Sequence, residues 1–140
     1  MSKFAEIIEI ANMLDKKLPF LHGGIGSLGE HNVALELIDE LVDDYDKNIF
    51  LINSLYMVIE RYENEAPEFE GFNADIESLN SATAVLNVLM DQHNLKADDL
   101  KNEIGGKNMV SMILNGKRKL TLNHIYNLAH RFSIDPKLFV

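Results

Sequence analysis

Eight residues, Lys107 to Leu114, stand between a Gly105-Gly106 pair and an Asn115-Gly116 pair. So short a segment makes only about two helical turns, and glycine on either side keeps it from growing. It must therefore pack as one small helix of a bundle. Val110, Ile113 and Leu114 supply its apolar stripe, and Lys96-Ala97-Asp98-Asp99-Leu100 opens another short helix just upstream, with acids in the first turn where the helix dipole favours them. Two short helices joined by a tight glycine turn are the frame of a helix-turn-helix, whose second helix lies in a DNA major groove. With Val110 at the centre of the buried face and about 100° per residue, Asn108, Ser111, Met112 and Asn115 point outward and Lys107 flanks them. That set offers a lysine for guanine or phosphate, asparagines for adenine, and a methionine for a thymine methyl. The loop Lys117-Arg118-Lys119 is placed to grip phosphate. The same pattern also fits an ordinary all-α bundle whose Lys-Arg-Lys loop is simply solvated.

The apolar period is helical along almost the whole chain, so the expected class is all-α. Phe4, Ile7, Ile8, Ala11 and Leu14 share one stripe, before Leu18-Pro19 and His22-Gly23-Gly24-Ile25-Gly26 break the chain. Ala34, Leu37, Ile38, Leu41 and Val42 form a second stripe; Ile52, Leu55, Tyr56, Ile59 and Tyr62 form a third. The short polar link Asp43–Asn48 predicts an antiparallel hairpin from these two helices. Ala66-Pro67 opens a connecting helix carrying Phe69, Phe72, Ile76 and Leu79, with Asn80-Ser81 as the junction and Ser81 as the next N-cap. Ala82, Val85, Leu86, Leu89 and Met90 follow as one helix. After the two motif helices, Thr121 caps a helix with inner residues Leu122, Ile125, Leu128, Ala129 and Phe132, and Asp135-Pro136 starts a last turn with Leu138 and Phe139. The expected organisation is an acidic helical domain over residues 1–79, built on the hairpin, and a helix-turn-helix bundle over residues 80–140.

Charge divides along the same line. The chain carries net −9. Residues 1–79 hold five bases and 17 acids, net −12; residues 80–140 hold eight bases and five acids, net +3. From Gly105 to Phe132 there are five bases, Arg131 among them, and no acid. DNA suits the second half, because phosphate contacts supply most of the affinity. A basic protein suits the first half by electrostatic complementarity, although acids also serve plain solubility. The chain has no cysteine, no apolar run near the ~18 residues that span a bilayer, and an opening Met1-Ser2-Lys3-Phe4-Ala5-Glu6 unlike a secretory signal. A cytoplasmic protein without membrane attachment is the expectation.

Chemistry-bearing motifs are otherwise lacking. His22, His31, His93, His124 and His130 make no ligand set and are expected to face solvent or phosphate. Neither glycine run has the context of a nucleotide loop. Asp43, Asp44 and Asp46 do not fit a calcium loop, and Glu63, Glu65, Glu68 and Glu70 read as a solvated acidic patch. No catalytic residue, metal site or cofactor is expected, and the chain is not expected to be an enzyme.

Ile104-Gly105-Gly106-Lys107-Asn108-Met109-Val110-Ser111-Met112-Ile113-Leu114-Asn115-Gly116-Lys117-Arg118 resembles the turn, recognition helix and following loop of lambda-repressor-like (Xre-type) domains. Leu128 to Phe139 is similar to the closing helices of those domains. Ala66-Pro67-Glu68-Phe69-Glu70, Leu89-Met90-Asp91-Gln92-His93 and Gly116-Lys117-Arg118-Lys119-Leu120-Thr121-Leu122 make the resemblance narrower. They match the HigA antitoxins of HigB–HigA toxin–antitoxin pairs, in the form with an added N-terminal helical domain. The likeness is good over residues 66–140, looser over 34–65 and slight over 1–33. Three positions depart from the Xre pattern: Gly106 for the usual Ser or Thr cap, Met112 for a frequent arginine, and Ala97 for a polar residue. The resemblance implies a homodimer that binds a palindromic operator in its own promoter and represses it. It also implies binding and silencing of a small basic ribosome-dependent mRNA endonuclease. The alternative is a stand-alone repressor whose N-terminal helices only dimerise or sense something.

Overall fold

The computed structural model describes residues 2–65 and 76–140, with side chains from residue 82 onward in the second stretch. Among the described residues, every regular element is helical. The chain forms two compact units, residues 1–62 and residues 63–140.

In the first unit, α1 (Ala5–Lys17) and the single turn α2 (Phe20–Gly23) precede α3 (Leu28–Leu41). Ser27 caps α3 by accepting the Glu30 N–H at 3.2 Å, and the Glu30 carboxyl reaches back to the Gly26 N–H at 3.0 Å. This reciprocal pairing serves donors that have no partner inside the helix. A 3-10 turn (Val42–Asp44) leads to α4 (Ile49–Asn64). Asn48 Nδ2 donates to the Leu41 carbonyl at 3.1 Å, so the connection closes on the free end of α3. Ala34 and Ile38 of α3, and Ile52, Leu55, Tyr56 and Ile59 of α4, are buried as the helical period predicts, while Tyr62 is half-buried. The His31 ring lies 4.9 Å from that of Tyr62. His31 is thus a core residue, not the solvent-facing one expected.

In the second unit, α5 (Ile76–Gln92) runs unbroken through Asn80-Ser81. Ser81 therefore caps no helix start, contrary to expectation. The expected features at residues 66–75 lie outside the described residues. A 3-10 turn (Ala97–Leu100) stands where the first motif helix was expected, α6 (Lys107–Leu114) is the second, and α7 (Leu122–Phe132) and a closing 3-10 turn (Pro136–Phe139) complete the unit. Leu86, Leu100, Ile104, Val110, Ile113, Ile125, Leu128 and Phe139 are buried and form its centre. Asp135 caps the last turn by accepting the Lys137 N–H at 2.9 Å, with Pro136 at its first position. No described helix is long and apolar enough to cross a membrane, and no cluster of ligands for a metal ion occurs among the described residues.

Candidate nucleic-acid interface

The turn before α6 passes through Gly105 at φ +152°, where a β-carbon is strongly disfavoured, and Gly106 then takes the N-cap position ahead of Lys107. At the far end, Gly116 takes φ +79°. Its N–H donates to the Ile113 carbonyl at 3.1 Å, and the Lys117 N–H donates to the Met112 carbonyl at 2.9 Å. This paired closure uses a left-handed residue just past the helix and sends the chain sharply away. Lys117, Arg118 and Lys119 sit on the segment so released.

Lys107, Asn108 and Asn115 are exposed and Ser111 is half-buried, so four of the expected outward positions do share one open arc. Met112 does not. It is only 6% exposed and lies with Met109, Val110 and Ile113 in the core, so the expected apolar contact to a thymine methyl is corrected. The reason is rotational. The buried sector is centred between Met109 and Ile113 rather than on Val110, a turn of about 80° at ~100° per residue. Leu114, expected inside, is accordingly half-buried. Long, unbranched methionines fill the gaps on the side so rotated inward.

Lys117 and Lys119 are exposed, and Arg118 is half-buried. Arg131, the fifth base of the acid-free run, is engaged elsewhere. Its guanidinium donates to the Asp99 carbonyl and, at 3.1 Å, to Glu103 Oε2. Asn127 Nδ2 adds a bond to the Glu103 carbonyl at 3.3 Å. Two polar residues of α7 thus hold the turn that leads into α6, the kind of support that fixes a helix in place.

Sequence reasoning missed a second group of residues at the start of α7. Thr121 caps the helix as expected, its hydroxyl accepting the His124 N–H at 3.2 Å. In return the Thr121 N–H donates to His124 Nδ1 at 3.1 Å. That bond occupies the Nδ1 lone pair and leaves the ring proton on Nε2. Nε2 faces Glu63 Oε1 at 3.4 Å, and Asn123 Nδ2 reaches Glu63 Oε2 at 3.4 Å. The next residue, Asn64, accepts the Leu122 N–H at 2.9 Å, satisfying another donor of the first turn. Glu63 and His124 are each only 2% exposed, so neither the solvated acidic patch nor the solvent-facing histidine expected there exists at these positions. A signal was present: Glu63 follows Ile59 by four residues and Tyr56 by seven, which continues the buried stripe of α4.

Residues 5–73 match the family model described as "HigA antitoxin, N-terminal domain". Over 140 residues, all of this chain and 99% of each relative, the sequence is 42% identical to proteins named "Antitoxin HigA" from Escherichia coli (strain K12) and from Shigella flexneri. With its N-terminal part matched by that family model and its whole length matched by those relatives, the chain belongs to the HigA antitoxin family.

Proposed function

We propose that this chain is an antitoxin that works through two surfaces. Its C-terminal unit binds an operator in its own promoter and represses transcription, with Lys107, Asn108, Ser111 and Asn115 toward base edges and Lys117, Arg118 and Lys119 toward phosphate. Its acidic N-terminal part binds and silences a small basic ribosome-dependent mRNA endonuclease. The chain acts as a homodimer on a two-fold operator, because such motifs read half-sites about one helical turn apart.

The observation that carries the DNA reading is the open arc of α6, where Lys107 and Asn108 are exposed and Ser111 half-buried, opposite the buried Met109, Val110, Met112 and Ile113. The toxin reading is supported by exposed acids on and just after α3, namely Glu36, Asp39, Glu40, Asp43, Asp44 and Asp46. Complementary charge of that kind speeds encounter and fixes orientation. No catalytic machinery enters this function.

The test is co-expression with the neighbouring small basic reading frame, followed by gel shift on the DNA upstream of the pair. A stoichiometric complex, rescue of growth and a sequence-selective shift are expected. Recovery of the chain alone at every salt concentration would reduce it to a repressor. Absence of any preference for its own promoter would remove the operator.

A further inference from the structure

Both ends of α6 lead back to α7. At its start, α7 grips the turn that runs from Glu103 to Gly106. Asn127 Nδ2 donates to the Glu103 carbonyl at 3.3 Å, and Arg131 donates to Glu103 Oε2 at 3.1 Å and to the Asp99 carbonyl. At its end, the chain passes through Lys117-Arg118-Lys119 into Leu120 and Thr121, both buried, and so into the first turn of α7. Helix α7 is therefore the base on which α6 and the basic loop stand.

The last two residues of α4 fix α7 in turn, and they belong to the same compact unit. Asn64 Oδ1 accepts the Leu122 N–H at 2.9 Å. Glu63 Oε2 accepts from Asn123 Nδ2 at 3.4 Å, and Glu63 Oε1 lies 3.4 Å from His124 Nε2. Three successive residues of α7 are met by these two side chains. The helix does not need them in order to begin, because Thr121 and His124 already form a reciprocal cap. Water would serve the Leu122 N–H as well. What a side chain from α4 adds, and water cannot, is a fixed place for the helix.

Placement matters more to base reading than to phosphate binding. A lysine on a flexible stem follows a displaced phosphate, whereas a side chain making two bonds to a base edge does not. A shift of α7 is therefore expected to weaken base contacts from α6 before it weakens the grip of Lys117 and Lys119.

We propose that Glu63 and Asn64 are positioning residues for operator reading: from the end of α4 they fix α7, and α7 fixes the angle of α6. Glu63 is buried, so it acts through α7 and not on DNA. The inference rests on the DNA reading of the proposed function and adds to it residues that lie outside the helix-turn-helix.

Full-length Asn64→Ala, Asn64→Asp, Glu63→Gln and Asn127→Ala are compared with the native chain by gel shift, on the upstream DNA and on unrelated DNA of equal length. Circular dichroism gives the folded fraction of each. In Asn64→Ala the preference for the upstream DNA should fall about fivefold, with binding to unrelated DNA unchanged. Asn64→Asp keeps an acceptor for the Leu122 N–H and should restore the preference. Glu63→Gln gives up one of two acceptors and should lose about twofold, which decides the matter if Asn64→Ala does not fold. Asn127→Ala breaks the same path at its far end, and combined with Asn64→Ala it should lose no more than either alone. A native preference in folded Asn64→Ala or Glu63→Gln overturns the proposal. So does an equal loss on both DNAs, which a merely structural role would give, or a failure of Asn64→Asp to restore. A fully additive loss in the double variant overturns the path through α7. A native chain with no preference for its upstream DNA removes the operator reading itself, and this inference with it.

Discussion

Glu63 Oε1 stands 3.4 Å from His124 Nε2, with both side chains buried. The pair joins the last turn of α4 to the first turn of α7, across 60 residues of sequence and within one compact unit. Asn64 makes the same join through the Leu122 N–H. The compact unit that contains α6 therefore begins at residue 63, well before α5.

Glu63→Ala strips the buried imidazole of its facing carboxyl. A buried polar group left without its partner costs about 1–3 kcal/mol. The expected result is faster hydrogen exchange of the α7 amides by the corresponding factor, with Glu63→Gln milder because it keeps an acceptor. Unchanged protection of residues 122–125 would show that the pair contributes nothing.

Met112→Ala should behave as a core truncation. Loss of stability of about 2–5 kcal/mol is expected, with the same preferred operator bases once folding is ensured. Ser111→Ala should do the reverse, shifting stability by less than about 0.5 kcal/mol while altering recognition. A change of base preference in Met112→Ala at full stability would return that side chain to the groove.

Lys107→Ala and Asn108→Ala should each relax discrimination among operator variants by about 1–3 kcal/mol, the usual weight of a bidentate base contact. Competition gel shifts with single-base operator changes measure it. If both variants keep the native ranking of operators, the reading arc lies elsewhere.

Replacing Lys117 and Lys119 together by alanine should weaken all DNA alike. The log–log salt slope should flatten by roughly two, at ~0.9 per phosphate contact. A loss confined to the operator would mean that these lysines read bases.

Gly116→Ala forces a β-carbon into the left-handed region at φ +79°, with no neighbouring atom in its way. The strain alone is worth about 1–2 kcal/mol, and Gly116→Asn should cost less, since asparagine tolerates that conformation. Equal melting temperatures for all three proteins would dismiss the cap.

Much of the architecture was legible because local rules decide it. The stripes of α3, α4 and α7, the Thr121 and Asp135 caps and the glycines around α6 follow from helical period and turn chemistry over a few residues. The exposed set Lys107, Asn108 and Asn115 was legible for the same reason. Met112 was not, because on an eight-residue helix the apolar arc is wide enough to rotate, and only the neighbours it packs against choose the angle. Ser81 was misjudged because a good capping residue is also tolerated inside a helix that packing sustains.

Sequence alone determined the helical class, the acidic and basic halves, and the short glycine-bounded helix that reads as a recognition element. These depend on periodicity and composition, which the chain carries locally. Tertiary structure decided that Glu63 and His124 are interior partners, that Arg131 pairs with Glu103, and that α1 keeps its apolar residues exposed. Each of these depends on which surfaces meet across long stretches of chain, and burial turns a charged or polar residue into a structural one only when its partner arrives from elsewhere in the fold.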